Sequence, residues 1–239
     1  MGIVSAVRTV RPKTVYIHTF YLAIVIGCGL FVVLTLIAML AYSGGSYDDR
    51  TAVGYSFSHN FFSDLGRLTA LSGRPNWVSA GLFFIALSSA GACLVVFFIL
   101  FPRLFQHTNL QRWLCLLGSV CGVLAGISFI GVAFAPADVA LAAHRQFVMW
   151  AFRLFPIAVL FYLPAMFLDK DYPRRHTWVF VVFCLLLISY YLLITHGPSF
   201  SSPQGLVIQV IGQKAIVYAS ILGFGLQSLA AHQYLKGRI

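Results

Sequence analysis

The chain alternates between long apolar stretches and short polar segments, a pattern that predicts six membrane-spanning helices. The apolar stretches cover residues 20–42, 77–101, 113–135, 146–168, 177–195 and 206–230. Each is long enough to cross the roughly 30 Å of hydrocarbon in a bilayer at about 1.5 Å per residue. The polar segments between them are too short for a separate soluble domain. We therefore expect a single all-α transmembrane bundle over residues 1–239, that is, a polytopic membrane protein.

Composition supports a membrane protein and excludes a water-soluble domain. Apolar residues make up 60% of the 239 residues and charged residues only 9%, whereas soluble domains carry about 25% charged residues. The first stretch is too long for a signal peptide and no small-residue cleavage site follows it, so it is expected to remain as the first helix.

The basic residues predict the orientation of the helices. Sixteen Lys and Arg face six acidic residues, all of them Asp, giving a net charge of +10. In a soluble protein this charge would suggest nucleic acid, but here it indicates topology, and no nucleic-acid partner is expected. The positive-inside rule places both termini in the cytoplasm, with the protein in the plasma or inner membrane of the cell. The predicted inner side holds Arg8, Arg11, Lys13, Arg103, Arg112, Lys170, Arg174, Arg175, Lys236 and Arg238, and the outer side holds Arg50, Arg67, Arg74 and Arg145.

Two basic residues, Arg153 and Lys214, lie inside predicted spans. Charges at membrane depth are costly unless they are paired or hydrated, and they commonly mark functional sites. No Asp or Glu falls within a predicted span, so an anionic ligand such as a lipid phosphate is one partner for these cations. The alternative is that their long side chains reach to the membrane surface without binding anything.

The predicted outer loop over residues 43–76 contains the densest cluster of polar and aromatic residues. Its apolar residues recur at spacings of three and four, which predicts an amphipathic helix on the outer face. A second face of that helix would carry the polar residues. The apolar set is Phe57, Phe61, Phe62 and Leu65, and the polar set is His59, Asn60, Ser63, Asp64 and Arg67.

Two kinds of chemistry are open to this loop. Ser63 or Ser58 could be activated by His59 and Asp64 as a nucleophile, although the chain has no GxSxG motif. Alternatively, each predicted outer loop contributes one histidine, and three histidines with a carboxylate could bind zinc. These histidines are His59, His144 and His196, with Asp64 or Asp138 as the carboxylate. Histidines are common at membrane interfaces, and apart from this zinc site no cofactor is predicted.

The third stretch carries a seam of small residues at Gly118, Gly122 and Gly126. Glycines four residues apart allow another helix to approach closely. Packing within the bundle is the favoured interpretation, and association with a second copy or another subunit is the alternative.

The segment Ser63-Asp64-Leu65-Gly66-Arg67, followed by Gly73-Arg74-Pro75-Asn76 before the second stretch, resembles prokaryotic six-helix membrane proteins of domain-of-unknown-function family 998. That group is distantly similar to eukaryotic membrane proteins of the Frag/DRAM/Sfk type. The resemblance covers the span pattern along most of the chain and the motif over residues 59–76. It singles out Ser63, Asp64 and Gly66 and implies a lipid-related role at the outer leaflet, and it gives no role to His144, His196, Arg153 or Lys214.

Together these features predict a polar pocket that opens to the outer leaflet. The loop over residues 59–67 would form its roof, and Arg153 and Lys214 its floor. Asn60, Asp64 and Arg67 would complete the binding site for an anionic membrane lipid. Binding is favoured over chemical modification of the lipid, so enzymatic activity stays open. The alternative is an accessory subunit of a larger membrane complex, which the small-residue seam would serve.

Overall fold

The computed structural model describes residues 12–237, with side chains described from residue 17 onward. Six α-helices account for most of this part of the chain and confirm the predicted all-α fold. All six are long and apolar enough to cross a membrane, consistent with a multi-pass integral membrane protein. They are α1 (Pro12–Leu40), α2 (Trp77–Leu100), α3 (Asn109–Phe134), α4 (Leu141–Leu168), α5 (Arg174–His196) and α6 (Pro203–Lys236).

Local signals in the sequence set several helix ends. At the start of α3 the Thr108 hydroxyl accepts a hydrogen bond from the Gln111 backbone amide at 3.2 Å, and the Gln111 side chain returns to the Thr108 amide. At the start of α6 the Ser202 hydroxyl accepts from the Gly205 amide at 3.1 Å, and Pro203 occupies the first turn. These caps satisfy backbone amides that have no partner within the helix.

The six helices form a closed ring. Each helix packs against its neighbours in the sequence, and α1 packs against α6 to complete the circle. Aromatic rings fill the interior, among them Phe97, Phe101 and Phe155. Because lipid tails are as apolar as these side chains, close van der Waals packing rather than the hydrophobic effect holds such a bundle together.

The glycine seam of α3 is used inside this ring. A Cβ added to Gly122 would lie 2.2 Å from the ring of Phe98 on α2, and one added to Gly118 would lie 2.8 Å from the ring of Tyr162 on α4. Gly126 faces the backbone of Gly91 on α2 in the same way. In this structure the three glycines thus allow close packing between helices of the same chain.

One end of the ring carries the long loop, residues 41–76, which we call the cap. Asp138, between α3 and α4, accepts hydrogen bonds from the backbone amides of Leu68 and Thr69 at 3.2 and 2.8 Å. The opposite end carries the loops over residues 105–108 and 169–173, where His107 lies 3.3 Å from Asp169. Among the basic residues used for the predicted orientation, Arg8, Arg11 and Arg238 lie outside the described residues.

The cap does not contain the amphipathic α-helix expected within the loop over residues 43–76. A turn occupies residues 57–59 and a bend residue 60, and a five-residue 3₁₀ helix follows at Phe62–Gly66. Phe57 is 51% exposed whereas Phe62 is 3% exposed, so the apolar residues do not share one face. The reason is that side chains within the cap and from α6 take the backbone groups that an α-helix would need, as described below.

Candidate functional site

The Asn60 side chain joins two segments of the cap by hydrogen bonds. Its side-chain oxygen accepts a hydrogen bond from the Ser56 backbone amide at 2.8 Å, and its side-chain amide donates to the Gly45 carbonyl at 2.9 Å. Gly45 has a φ of +80°, and a Cβ there would lie 2.2 Å from the Ser72 nitrogen, so this position requires glycine. Asn60 is completely buried. The structure thus places this predicted ligand-binding residue in the framework of the cap.

Asp64 is an almost fully buried carboxyl group, with 1% of its surface exposed. One oxygen accepts a hydrogen bond from the Phe61 backbone amide at 2.7 Å, and the other lies 3.9 Å from a guanidinium nitrogen of Arg67. Burial raises the pKa of Asp64 to about 6, against the lowering effects of Arg67, the Phe61 hydrogen bond and Lys214. Burial therefore gives the cap a carboxyl group whose pKa lies above its ordinary value of 3.8.

Lys214 of α6 points into the cap rather than into a pocket. Its side chain is 1% exposed, and its ammonium group donates a hydrogen bond to the Asn60 carbonyl. The ammonium also lies 5.2 Å from the ring centre of Tyr55 and 5.1 Å from that of Phe57. A carbonyl and two aromatic faces compensate the cost of burying this charge. Lys214 consequently anchors the cap to the bundle.

A second anchor joins α6 to the 3₁₀ helix of the cap. The Gln213 side-chain oxygen accepts a hydrogen bond from the Phe62 backbone amide at 2.6 Å. The Phe62 ring packs among the rings of Phe31, Phe83 and Tyr218, with centres 5.8–5.9 Å away. Phe62 thus closes the cap end of the bundle with an aromatic side chain.

Sequence reasoning did not identify Gln213 or the closing role of Phe62. The available signal was the pair of polar residues, Gln213 and Lys214, at adjacent positions of an otherwise apolar stretch. The hydrogen-bond partners of Gln213 and Lys214 lie 151 and 154 residues away, so no local pattern identifies those partners.

Beneath Phe62 lies a central cavity of about 100 Å³. Side chains from α1, α2, α3, α4 and α6 line it, and Phe62 and Ser63 of the cap bound it. Its walls are mostly carbon, and none of the described residues that line it is charged. Arg153 and Lys214, the expected floor of a polar pocket, are not among the lining residues. The space under the cap is therefore apolar, in contrast to the polar pocket predicted from the sequence.

Arg153 of α4 lies on the outer surface of the ring, facing the space between α4 and α5. Its Nε donates a hydrogen bond to the Tyr191 hydroxyl at 3.1 Å. The guanidinium carbon lies 5.7 Å from the ring centre of Trp150 and 5.9 Å from that of Tyr191. Within residues 12–237, no carboxylate forms an ion pair with it. Arg153 therefore presents an uncompensated positive charge, with most of its N–H donors unused, between two aromatic side chains.

The structure does not bring Ser63, His59 and Asp64 into one hydrogen-bonded set. Ser63 faces the central cavity, and Asp64 is engaged by the Phe61 amide and by Arg67. The His59 ring instead lies 2.8 Å from the Ser58 hydroxyl through Nδ1 and 3.7 Å from the Asp48 carboxylate through Nε2.

The three histidines considered for zinc have separate partners. Nδ1 of His144 lies 2.8 Å from the Ala135 carbonyl, and His144 is 7% exposed. Nδ1 of His196 lies 2.7 Å from the Thr195 hydroxyl. In the part of the chain that the structure describes, no three His, Cys, Asp or Glu side chains are grouped as metal ligands would be.

Comparison with protein-family models, with curated proteins and with solved structures found no match to this chain. The resemblance to family 998 therefore stays a prediction carried by the Ser63–Arg67 and Gly73–Asn76 segments alone.

Proposed function

We propose that this integral membrane protein binds an anionic membrane lipid, whose phosphate pairs with Arg153. The single observation that carries the proposal is the uncompensated guanidinium of Arg153 on the outer surface of the bundle, held by Tyr191 and Trp150. A guanidinium group matches a phosphate in charge and in hydrogen-bonding geometry.

The position of Arg153 along the bundle supports a headgroup site, because its partner lies near the cap end of α5. Its partner Tyr191 lies five residues before the end of α5 at His196, about 8 Å along the helix axis. Trp and Tyr side chains concentrate at this depth, where the hydrocarbon meets the headgroups. Exposed apolar side chains of α4 continue the same surface away from the cap end, including Ile157 and Leu160. A phosphate at Arg153 would leave the acyl chains of its lipid against this apolar surface.

We assign the headgroup to Arg153 and not to the other predicted ligand-binding residues. Lys214, Asn60, Asp64 and Arg67 are engaged with one another and with the backbone of the cap. They hold the cap on the bundle, and an entering phosphate would have to break these contacts.

We further propose that the cap faces the outside of the cell membrane. The described basic residues at the opposite end of the bundle support this orientation by the positive-inside rule. They include Arg103, Arg112, Lys170, Arg174 and Arg175.

The proposal is tested by native mass spectrometry of protein reconstituted with phosphatidylglycerol. Arg153→Gln should weaken retention of the lipid roughly tenfold or more, because a hydrogen bond to a charged group contributes about 1.5–3 kcal/mol. Arg145→Gln is the matched control, since it removes the same charge from the exposed start of α4 and should leave retention unchanged. Equal retention by the two variants would count against a phosphate site at Arg153.

The same measurement on protein extracted from its own membrane addresses the alternative of an accessory subunit. Other chains at fixed stoichiometry would place this protein in a complex. We do not propose the glycine seam as that interface, because Gly118, Gly122 and Gly126 contact helices of the same chain.

A further inference from the structure

The central cavity is a site distinct from Arg153. It lies inside the ring, where α4 contributes Val148, Phe152 and Phe155 to its wall. Arg153 projects from the other side of the same helix, towards Tyr191 of α5. A ligand in the cavity therefore shares no contact with a headgroup at Arg153.

Of the hydroxyl and amide side chains that border the cavity, Gln213 and Ser220 already have partners within the protein, which leaves the Ser63 hydroxyl as a single polar group at its wall. The Gln213 oxygen accepts from the Phe62 amide, and the Ser220 hydroxyl donates to the Ile216 carbonyl at 2.7 Å. A water molecule needs two to four polar partners to be stable in a protein interior, and apolar cavities instead bind apolar molecules. The chemistry of the wall thus selects a hydrocarbon.

The size of the cavity restricts that hydrocarbon. Its volume of about 100 Å³ is smaller than the roughly 150 Å³ of an engineered cavity that binds benzene. It accommodates a chain end of a few carbons and excludes a whole lipid. The six helices expose large apolar side chains on their outer surfaces, so the solvent around the ring is itself lipid hydrocarbon.

We propose that the central cavity binds the terminal carbons of one lipid acyl chain, beneath Phe62. The chain end fills space that the side chains of five helices leave open, and it gains dispersion contacts with Phe129, Phe155 and Leu87. Phe62, held by Gln213 and by three neighbouring rings, bounds the site on the side of the cap.

The test uses a phosphatidylglycerol with a diazirine at the end of one acyl chain, in vesicles of phosphatidylethanolamine and phosphatidylglycerol. After irradiation, peptide mass spectrometry locates the cross-links. We expect cross-links on cavity side chains, Cys28 and Cys93 among them. Cross-links confined to outward-facing side chains such as Leu185 and Leu222, which are 60% and 63% exposed, would overturn the proposal.

A cavity-filling variant and its control test whether the internal cross-links depend on the cavity. Val217→Phe puts a ring into the cavity and should reduce the internal cross-links several-fold. Val182→Phe adds the same ring at a position of α5 that is 57% exposed and should leave them unchanged. If Val217→Phe does not fold, Ala90→Leu fills the same cavity from α2. Internal cross-links that persist in a folded filling variant would contradict the proposal.

The acyl-chain site and the headgroup site can be tested independently of each other. Arg153→Gln should lower retention of the whole lipid in detergent but leave the internal cross-links in vesicles, where the lipid is in excess. Loss of internal cross-links in Arg153→Gln would show that the cavity is not an independent site.

Discussion

At the scale of one residue, the pKa of Asp64 reflects two opposing effects: burial in the cap and nearby groups that favour the charged form. Its carboxyl group is 1% exposed, and burial raises its pKa to about 6 although Arg67, the Phe61 amide and Lys214 all favour the charged form. In the unfolded chain the pKa returns to its ordinary value of 3.8. The folded protein therefore binds the proton more tightly than the unfolded chain does.

Stability should therefore depend on pH through Asp64. Between about pH 4 and pH 6 the folded state holds more protons at Asp64, so the free energy of unfolding should decrease as pH rises through this window. At about 1.4 kcal/mol per pH unit, the whole change is roughly 3 kcal/mol. Thermal unfolding in mild detergent, followed by tryptophan fluorescence, measures it. Asp64→Asn should flatten this window.

A control separates this effect from the other carboxyl groups of the cap. Hydrogen bonds from Ser46 and Thr51 hold the pKa values of Asp48 and Asp49 below their usual range, so their titration falls at lower pH. Asp48→Asn should keep the slope between pH 4 and pH 6. The same slope in Asp64→Asn and the wild type would contradict the assignment.

At the scale of the element, the cap forms turns where the sequence pattern predicted an α-helix. The apolar spacing of residues 57–65 fits an α-helix locally. Ser, Asn and Asp side chains, however, compete for backbone groups, as Asn60 does with the Ser56 amide and Asp64 with the Phe61 amide. Gln213 then takes the Phe62 amide from 151 residues away, a contact that no local pattern contains.

Lys214 tests whether the cap depends on its anchors from α6. Lys214→Met keeps an unbranched apolar stem but removes the charged donor to the Asn60 carbonyl, which then accepts only from the Tyr55 hydroxyl at 3.2 Å. A hydrogen bond from a charged group contributes about 1.5–3 kcal/mol. We expect faster hydrogen–deuterium exchange in peptides covering residues 55–67, with α2 and α3 unchanged. Lys236→Met, at the exposed end of the same helix, is the control and should leave the cap protected. Unchanged exchange in Lys214→Met would show that the remaining contacts hold the cap alone.

At the scale of the whole molecule, hydropathy predicted the six helices but not their arrangement. Length and composition suffice for a span because lipid requires every backbone group to be satisfied within a helix. The closure of α6 on α1 and the contact of Gly122 with Phe98 depend on side-chain shapes, which periodicity does not encode. Arg153 and Lys214 look alike in the sequence, since each is a basic residue within a predicted span. For the same reason the sequence does not show that Arg153 lies on the outer surface and Lys214 beneath the cap.

The orientation of the bundle in the membrane is the last prediction. Because there are six spans, the start of α1 and the end of α6 lie at the same end of the bundle, and the cap lies at the other. Cysteine labelling measures this orientation. Val53 on the cap is fully exposed, and Gln106 is exposed at the other end, whereas the five native cysteines lie within helices. In spheroplasts a membrane-impermeant maleimide should label Val53→Cys at once and Gln106→Cys only after permeabilisation, with the unmodified chain as background. The reverse pattern would place the cap and Arg153 towards the cytoplasm, so any lipid bound at Arg153 would belong to the inner leaflet.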